Sequence, residues 1–372
     1  MTRSHPAVTT PPSADSPEVD PSVSLAPRAG RDPWLDNTRL VAAILILVMH
    51  VAGAAMSRAG VLEELWYATW PLRLPLFVIV AGFFSSAEPL RGRRAISILR
   101  NVLGVYLVGD LLASVFAGLA GEAFVYNPNR APFGLWFLLS LFWWRAMLPL
   151  LAHVRFLGPL TVVGALLVGF VPQIGPSFSA SRTIVFLPLF VLGWYLRRID
   201  LRALLARRWV RPAAAVVLLG GIVGFSLWGD RISHGVYQMR SGYDADGLLD
   251  AVPQLGARAA LLLAGTAGAL ALLAVMPRRR IPVVTYLGTG SMYIYVLHVL
   301  IVGSSGLRDT SWYRAIDTVP EILLLIVVSV LAALALASPP VRWLTGWLIQ
   351  PTYRWPFREQ VPSTPPLGGA RA

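Results

Sequence analysis

Long apolar stretches alternate with short polar connections along most of the chain. A transmembrane helix needs about 20 mostly apolar residues to cross a hydrocarbon core of about 30 Å. Applied to the sequence, this template predicts ten membrane-spanning helices. The predicted spans are residues 38–56, 66–87, 95–119, 133–149, 156–171, 183–196, 212–228, 253–276, 286–303 and 319–337. We therefore expect an all-α, polytopic membrane protein of about ten transmembrane helices around a polar cavity that opens to the cytoplasm.

The segments that flank these spans have a different character. Residues 1–33 are rich in Pro, Ser, Thr and Ala and contain almost no large apolar residues, which predicts a disordered cytoplasmic N-terminal tail. Residues 34–340 form the predicted transmembrane domain. Residues 341–372 begin with Trp343 and Trp347 beside an arginine, a pattern typical of a segment at the level of the lipid headgroups. This segment is therefore predicted to be an interfacial or disordered cytoplasmic tail.

Charge gives the predicted spans an orientation. Apolar residues make up 56% of the chain and charged residues 14%, which excludes a soluble globular domain. The net charge of +13 comes from arginine without lysine. When the N-terminus is placed inside, the inside loops hold twice as many arginines as the outside loops, where they are Arg58, Arg130, Arg182, Arg231, Arg240, Arg308 and Arg314. The positive-inside rule therefore predicts a multi-pass plasma membrane protein with both termini cytoplasmic.

Several kinds of chemistry are excluded by composition. Cysteine is absent, so thiolate nucleophiles, Cys-ligated zinc and iron–sulfur clusters are ruled out. The acidic residues show no trusted metal-ligand spacing, and no glycine-rich phosphate loop follows a strand. We therefore expect no metal and no permanently bound cofactor. The arginines form no basic domain, so nucleic acid is not an expected partner, whereas membrane lipid is.

Ionisable side chains inside the predicted spans are the first candidates for function, because each costs about 2.5–3.5 kcal/mol on insertion scales. They are Arg39, His50, Arg73, Arg100, Asp110, Arg258 and His298. Arg39 and His50 are eleven residues apart, which at 100° per residue brings them within about 20° of one helix face, roughly 16 Å apart along the axis. A guanidinium binds phosphate, and a buried imidazole accepts a proton. We therefore interpret Arg39 as an anion-binding residue and His50, deeper in the membrane, as a base.

Four motifs resemble one family. The segment WLDNTRLVAAILILVMH resembles the opening of the acyltransferase family 3 membrane proteins through Asp36, Arg39 and His50. Three later segments, in the family's order, are similar to its Pro-Leu-Phe, Trp-Phe-Leu and Ser-x-x-x-Tyr-x-x-His stretches. They contain Pro75, Leu76, Phe77, Gly82 and Phe83; then Trp136 and Phe137; then Ser291, Tyr295 and His298. Ala81 stands where the family usually has serine, so no role is carried over for that hydroxyl.

The resemblance implies an integral membrane O-acyltransferase. Such an enzyme moves an acyl group, usually acetyl, from acyl-CoA as co-substrate to a hydroxyl of a carbohydrate or glycosylated acceptor. His50 and Arg39 are then the catalytic candidates, and Arg39, Arg91, Arg93, Arg94 and Arg100 are candidates for binding CoA. The family's Arg-x-x-Arg spacing fits Arg91 and Arg94, whereas its position before the helix fits Arg100. Many members carry a fused soluble domain, for which the last residues here leave no room, so we expect this chain to act alone or with an extracytoplasmic transferase partner.

Several alternatives remain open at this point. His50 acts either as general base on the acceptor hydroxyl or as the carrier of the acyl group. Arg73 holds a substrate oxygen or forms a buried ion pair with Asp110. The late motif, with Ser291, Tyr295 and His298, either lines the acceptor side of the cavity or serves helix packing. In the packing alternative, His298 forms a hydrogen bond with Ser291.

The loop at 230–250, with its tyrosines and carboxylates, either binds a sugar or is simply solvated. His153, His234 and the N-terminal His5 are not assigned a role. The rival class for the whole protein is a transporter or a flippase of a lipid-linked glycan, for which the same charges would line a pathway.

Overall fold

Helices account for all regular secondary structure in residues 32–53, 55–56, 60–304 and 306–352, which are the residues that the computed structural model describes. The prediction of an all-α chain is confirmed for this part of the sequence. The helices are α1 (Pro33–Ala52), α2 (Gly60–Thr69), α3 (Leu74–Phe83), α4 (Gly92–Ile98), α5 (Val105–Leu119), α6 (Trp136–Leu151), α7 (Leu157–Leu167), α8 (Ala180–Leu196), α9 (Leu201–Ala206), α10 (Val210–Trp228), α11 (His234–Gln238), α12 (Leu248–Val275), α13 (Pro282–Gly288), α14 (Ser291–Ser304), α15 (Ser311–Arg314), α16 (Val319–Leu336) and α17 (Pro339–Ile349). The tail predictions for residues 1–31 and 353–372, and Arg58, lie outside the described residues.

Among the residues that the structure describes, seven helices are long and apolar enough to span a membrane, or eight if one bent pair counts as a span. The seven are Pro33–Ala52, Gly60–Phe83, Gly92–Leu119, Ser177–Leu196, Val210–Arg231, Leu248–Val275 and Val319–Leu336. The bent pair joins α13 to α14 at an angle of 60°. Two predicted spans correspond to shorter apolar helices, Trp136–Leu151 and Leu157–Phe170. The predicted count of ten is therefore not confirmed, because two of the ten helices fall short of the length that the hydrocarbon core requires.

The second span is broken in its middle, and the break sets the position of an arginine. After α2, the segment Trp70–Leu72 forms a single 3₁₀ turn, and α3 restarts at Leu74. Pro71 and Pro75 flank the break and lack the N–H group that would continue the α-helical ladder. Carbonyl groups that a continuous helix would satisfy are therefore free to accept other donors. Arg73 lies at this break and uses one of them.

Helix α1 forms the centre of the protein. Most of its residues are buried, whereas α10 is exposed along almost its whole length and is therefore a lipid-facing helix. Side-chain hydrogen bonds anchor the start of α1 to α12 and α13. Trp34 Nε1 donates to the Leu273 carbonyl at 2.8 Å, and Thr285 Oγ1 donates to Asn37 Oδ1 at 2.7 Å. These bonds fix the axial position of α1 and so of every side chain along it.

Helices α3 and α8 cross at van der Waals contact of their backbones. A Cβ atom at Gly82 would lie 2.0 Å from the Phe190 carbonyl oxygen, and one at Gly193 would lie 1.9 Å from that of Ile79. Only glycine allows this approach, as at other small-residue crossings in membrane proteins. The crossing holds the broken second span against α8, and both contribute side chains to the cavities described next.

Candidate active site

The two histidines that sequence reasoning singled out form a hydrogen-bonded pair. His50 Nδ1 lies 2.8 Å from His298 Nε2, and the imidazole planes are within 11° of parallel. His298 Nδ1 in turn lies 2.9 Å from the Ile294 carbonyl oxygen. A carbonyl only accepts, so in the neutral pair His298 carries its proton on Nδ1 and accepts on Nε2. His50 must then donate from Nδ1, which leaves a lone pair on its Nε2.

Two cavities share His50 in their lining. The outer one has a volume of about 440 Å³ and is lined by Met49, His50, Gly53, Met56, Trp66, Arg130, Ala131, Phe133, Trp136, Pro176, Ser179, Arg182, His234, Gln238, Arg240 and Arg308. The inner one has a volume of about 140 Å³ and is lined by Ile46, His50, Trp66, Trp70, Arg73, Leu74, Gly134, Trp136, Phe137, Arg182, Phe186, Tyr237, Gln238 and Tyr295. The lining of the outer cavity includes four arginines and His234, whereas that of the inner cavity is mainly aromatic.

The outer cavity lies at the His50 end of α1, away from Arg39. It is formed largely by the connections that precede α6, follow α7 and follow α10. The predicted polar cavity that opens to the cytoplasm is not confirmed. The Arg39 end and the His50 end of α1 are eleven residues apart, or about 16 Å. Helix α1 is continuous between the two residues, so they lie at two depths along it, as the sequence pattern predicted.

Arg73 faces the inner cavity without a carboxylate partner. Its Nη2 donates to the Trp66 carbonyl at 2.7 Å, and its guanidinium lies 5.1 Å from the centre of the Trp66 ring. Its Nε atom is buried and has no hydrogen-bond partner. The alternative of an Arg73–Asp110 ion pair is wrong, because no such contact occurs between these two described residues and Asp110 Oδ2 is itself without a partner. Arg73 Nε is thus an unused hydrogen-bond donor in a residue that lines the inner cavity together with His50.

Tyr295 brings the connection before α6 against the histidine pair. Its hydroxyl donates to the carbonyl of Gly134, and its ring lies edge-on to Phe137. A Cβ atom at Gly134 would lie 2.8 Å from the Val299 side chain and 3.8 Å from the ring atoms of both histidines. Glycine is therefore required for this close approach. Tyr295 therefore holds the backbone at Gly134 against the histidine pair.

Ser291 lies apart from this site. It starts α14 two turns before His298, lines neither of the two cavities, and makes no hydrogen bond with His298. Arg258 is also elsewhere, where it donates to the carbonyls of Ala165 and Ser241 and stacks on Tyr243. The Ser–His bond is therefore not formed. Arg258 holds the connection after α11 against α7.

At the other end of α1, Arg39 belongs to a group of arginines around residues 84–88. It forms an ion pair with the buried Asp36, and its guanidinium lies 5.3 Å from the centre of the Phe84 ring. Arg94 donates to the carbonyls of Ser86 and Glu88. Arg145 and Arg197 approach Ser85, at 3.4 Å to its Oγ and 3.2 Å to its carbonyl. We call Arg39, Arg94, Arg145 and Arg197 the Arg39 cluster.

Sequence reasoning assigned a function to only two members of this cluster, Arg39 and Arg94. Arg145 and Arg197 were counted only among the arginines of the inside loops, and no spacing motif connects them with Arg39. The other predicted CoA ligands are dispersed. Arg91 and Arg93 are exposed at the start of α4, whereas Arg100 lies in a π-helical turn, Leu99–Gly104, and donates to Asn101 Oδ1 at 3.1 Å.

Strained backbone surrounds the outer cavity. Four non-glycine residues among those described have positive φ angles, namely Phe133, Phe178, Ser179 and Met239. Phe133 and Ser179 line the cavity, and Met239 lies between the lining residues Gln238 and Arg240. The Phe133 ring also lies 4.7 Å from that of His50. Such conformations cost about 1–3 kcal/mol each and concentrate at functional sites.

The outer cavity contains side chains to which sequence reasoning gave no role. Arg130, Arg182, Arg240 and Arg308 had been counted only as outside arginines, and His234 had been left unassigned. His234 Nε2 lies 3.9 Å from Glu63 Oε1. The loop at 230–250 therefore supplies both cavities, through His234, Gln238, Arg240 and Tyr237.

Comparison with known proteins gives one match. The model of a family described as an acyltransferase domain matches residues 32–338, which is most of the chain and includes both ends of α1 and the histidine pair. No curated protein and no solved structure matches the chain.

Proposed function

Since the chain belongs to the family of membrane acyltransferases, we propose that it moves an acetyl group from acetyl-CoA to a hydroxyl of a glycan or sugar-containing metabolite, with His50 as general base. The observation that carries this proposal is the chain of hydrogen bonds from the Ile294 carbonyl through His298 to His50. It leaves a lone pair on Nε2 of His50, a residue that lines both cavities. This is the arrangement that a base needs to receive a hydroxyl proton.

The reaction balances with these groups alone. The acceptor hydroxyl gives its proton to His50 Nε2 while its oxygen attacks the thioester carbonyl carbon. The tetrahedral intermediate then expels the CoA sulfur, and the carbon–sulfur bond breaks. The proton on His50 passes to the thiolate, so the products are the acyl ester and free CoA. General base catalysis of this kind contributes about 10² to 10⁴ in rate.

Arg73 supports the step in which negative charge develops. Its buried Nε has no partner, and it lines the inner cavity together with His50. A donor held in advance beside the carbonyl oxygen stabilises the oxyanion, and such a donor is worth about 10² to 10³ in rate. The role of substrate-oxygen ligand proposed for Arg73 from the sequence therefore has a geometric basis.

The inner cavity suits the acyl group. Its aromatic walls and its volume of about 140 Å³ resemble an engineered cavity of about 150 Å³ that binds benzene. A short acyl chain fits such a space, whereas a long fatty acyl chain does not. This supports acetyl among the acyl groups, and it assigns Tyr295 to the wall of the acyl site.

The phosphates of CoA are proposed to bind at the Arg39 cluster. Arginine binds phosphate through paired hydrogen bonds, and the cluster contains four guanidinium groups around residues 84–88. Its distance of about 16 Å from His50 along α1 is one that the long pantetheine arm must cover. In the predicted orientation this end is cytoplasmic, where acyl-CoA is available, and the membrane is the plasma membrane with both termini inside.

The experiment measures acetyl-CoA turnover in membranes that contain wild-type protein, His50→Ala or His50→Gln, supplied with an extract of host glycans. The readouts are free CoA and transfer of labelled acetyl. His153→Ala, at an exposed histidine that lines neither cavity, is the matched control at equal protein level. We expect acceptor-dependent turnover in wild type and control, and loss of at least about 10²-fold in both His50 variants.

Two results would contradict the proposal. Equal turnover by wild type and the His50 variants would remove His50 from the chemistry. No turnover by any protein across several acyl-CoAs would remove acyl-CoA as donor and favour the rival transport function, which predicts substrate movement without thioester consumption.

A further inference from the structure

The outer cavity is lined by four arginines, namely Arg130, Arg182, Arg240 and Arg308. None of its described lining residues is an aspartate or a glutamate. The ion pairs found in the described part of the chain leave Arg130, Arg182 and Arg240 without a carboxylate partner. Arg130, Arg182 and Arg240 carry like charges around one cavity and repel one another, so an anion among them is favourable.

Membrane topology does not account for this cluster. Arginine is depleted on the predicted outside, where the sequence has seven. Four of those seven converge on a single cavity, although three come from different connections of the chain and Arg182 comes from the first turn of α8. Arginines kept only for orientation would instead be found in the inside loops. Their position therefore requires a local reason.

Arg182 is held in a geometry suited to an anion. Its Nε donates to the Gln238 carbonyl at 2.9 Å, and its guanidinium lies 4.5 Å from the centre of the Trp136 ring. Neither of its terminal nitrogens, Nη1 and Nη2, makes a hydrogen bond with the described residues. A guanidinium fixed on one edge and one face presents its remaining edge as a fork, which matches the two oxygens of a carboxylate or phosphate.

The backbone around Arg182 and Arg240 supports the same conclusion. Ser179 precedes Arg182 by one turn, has a φ of 56°, and is 3% exposed. Its hydroxyl is buried, lines the cavity, and has no hydrogen-bond partner. Met239, next to Arg240, has a φ of 51°. An unpartnered hydroxyl and two strained residues at one wall are expected where a ligand supplies the missing contacts.

We infer that the outer cavity binds the acceptor through an anionic group, a phosphate or a carboxylate, which Arg182 and Arg240 hold next to the hydroxyl that faces His50. The inference rests on the proposed function, because it names the substrate class of the same site. Trp66 and Phe133 line the cavity together with His50 and cover the less polar face of such an acceptor. Acceptors are therefore acidic sugars or sugar phosphates, and neutral sugars are discriminated against because they leave the arginines unpaired.

CoA also carries phosphates, so the experiment compares the two sources. Purified protein in lipid nanodiscs is titrated with inorganic phosphate, glucose 1-phosphate, glucose and CoA at constant ionic strength, with thermal unfolding as readout. The variants are Arg182→Gln, Arg240→Gln and their double variant. Arg231→Gln is the matched control, because Arg231 is an exposed outside arginine that lines neither cavity.

We expect phosphate and glucose 1-phosphate, but not glucose, to stabilise wild type and Arg231→Gln. Each cavity variant should weaken this binding about 10-fold, the range of one charge-assisted hydrogen bond. CoA binding should be unchanged in the variants. Binding of the anions should also persist in His50→Ala, so that failure of the catalytic proposal is seen separately from failure of this one.

Three results would overturn the inference. One is the absence of phosphate and glucose 1-phosphate binding to wild type. Another is equal binding to wild type and the double variant. A loss of CoA binding in the cavity variants would assign these arginines to the donor instead of the acceptor.

Discussion

His50 Nδ1 and His298 Nε2 are hydrogen-bonded at 2.8 Å although the two residues are 248 positions apart in the sequence. The Ile294 carbonyl fixes the proton of His298, and His298 thereby fixes the proton of His50. His298 therefore selects the tautomer of His50 that has its lone pair on Nε2, and His50 lines both cavities.

The first prediction concerns this tautomer. In His298→Leu no acceptor remains for His50 Nδ1, so the base loses its orientation and kcat should fall about 10²-fold with KM nearly unchanged. His298→Gln retains an amide oxygen able to accept from His50, and it should recover part of the rate. Acetyl transfer kinetics on both variants check this. Equal loss in the two variants would indicate packing, not proton placement.

The second prediction concerns the oxyanion. Arg73→Leu removes the buried Nε donor and should lower kcat about 10² to 10³-fold. Arg73→Lys keeps the charge but not the fixed fork, and it should restore only a small part. The measurement is kcat and KM separately, together with the thermal stability of each variant. A change in KM alone would show that Arg73 binds the ground state and does not stabilise the transition state.

The third prediction concerns the crossing of α3 and α8. In Gly82→Ala the new methyl group would lie 2.0 Å from the Phe190 carbonyl oxygen, so the helices must separate. Overpacking of this kind costs about 1–3 kcal/mol or more and should lower the unfolding temperature of the detergent-solubilised protein by several degrees.

Gly220→Ala is the matched control for that variant. A Cβ atom at Gly220 on the lipid-facing α10 meets no atom within 4 Å, so its unfolding temperature should stay that of wild type. If both alanine variants unfold at the wild-type temperature, the close crossing is absent from the protein in solution.

The fourth prediction concerns orientation. The natural chain has no cysteine, so a single introduced cysteine reports its own accessibility to a membrane-impermeant thiol reagent. Ala123→Cys, in the exposed connection between α5 and α6, should be labelled in intact cells, because the positive-inside rule places it outside. Ala206→Cys, at the exposed end of α9, should be labelled only after the cells are opened. The reverse pattern would place the His50 cavity on the cytoplasmic side.

The helical class of the protein followed from local physics. A backbone in hydrocarbon must satisfy its own hydrogen bonds, so long apolar stretches predict helices without any knowledge of packing. The same reasoning overestimated the number of clear spans, because it counted the stretches at 133–149 and 156–171, which are shorter than the hydrocarbon core requires. It also missed the break at Arg73, which depends on how Pro71 and Pro75 act together.

The candidate residues divide in the same way. The sequence by itself determined that Arg39, His50, Arg73 and His298 are costly groups in apolar helices, and the spacing in α1 pointed to the family. Only the tertiary structure decided their partners. It joined His50 to His298, left Arg73 without Asp110, and gathered Arg182 and Arg240 into one cavity, because contacts between distant segments arise from helix packing, and packing leaves no periodic signal in the chain.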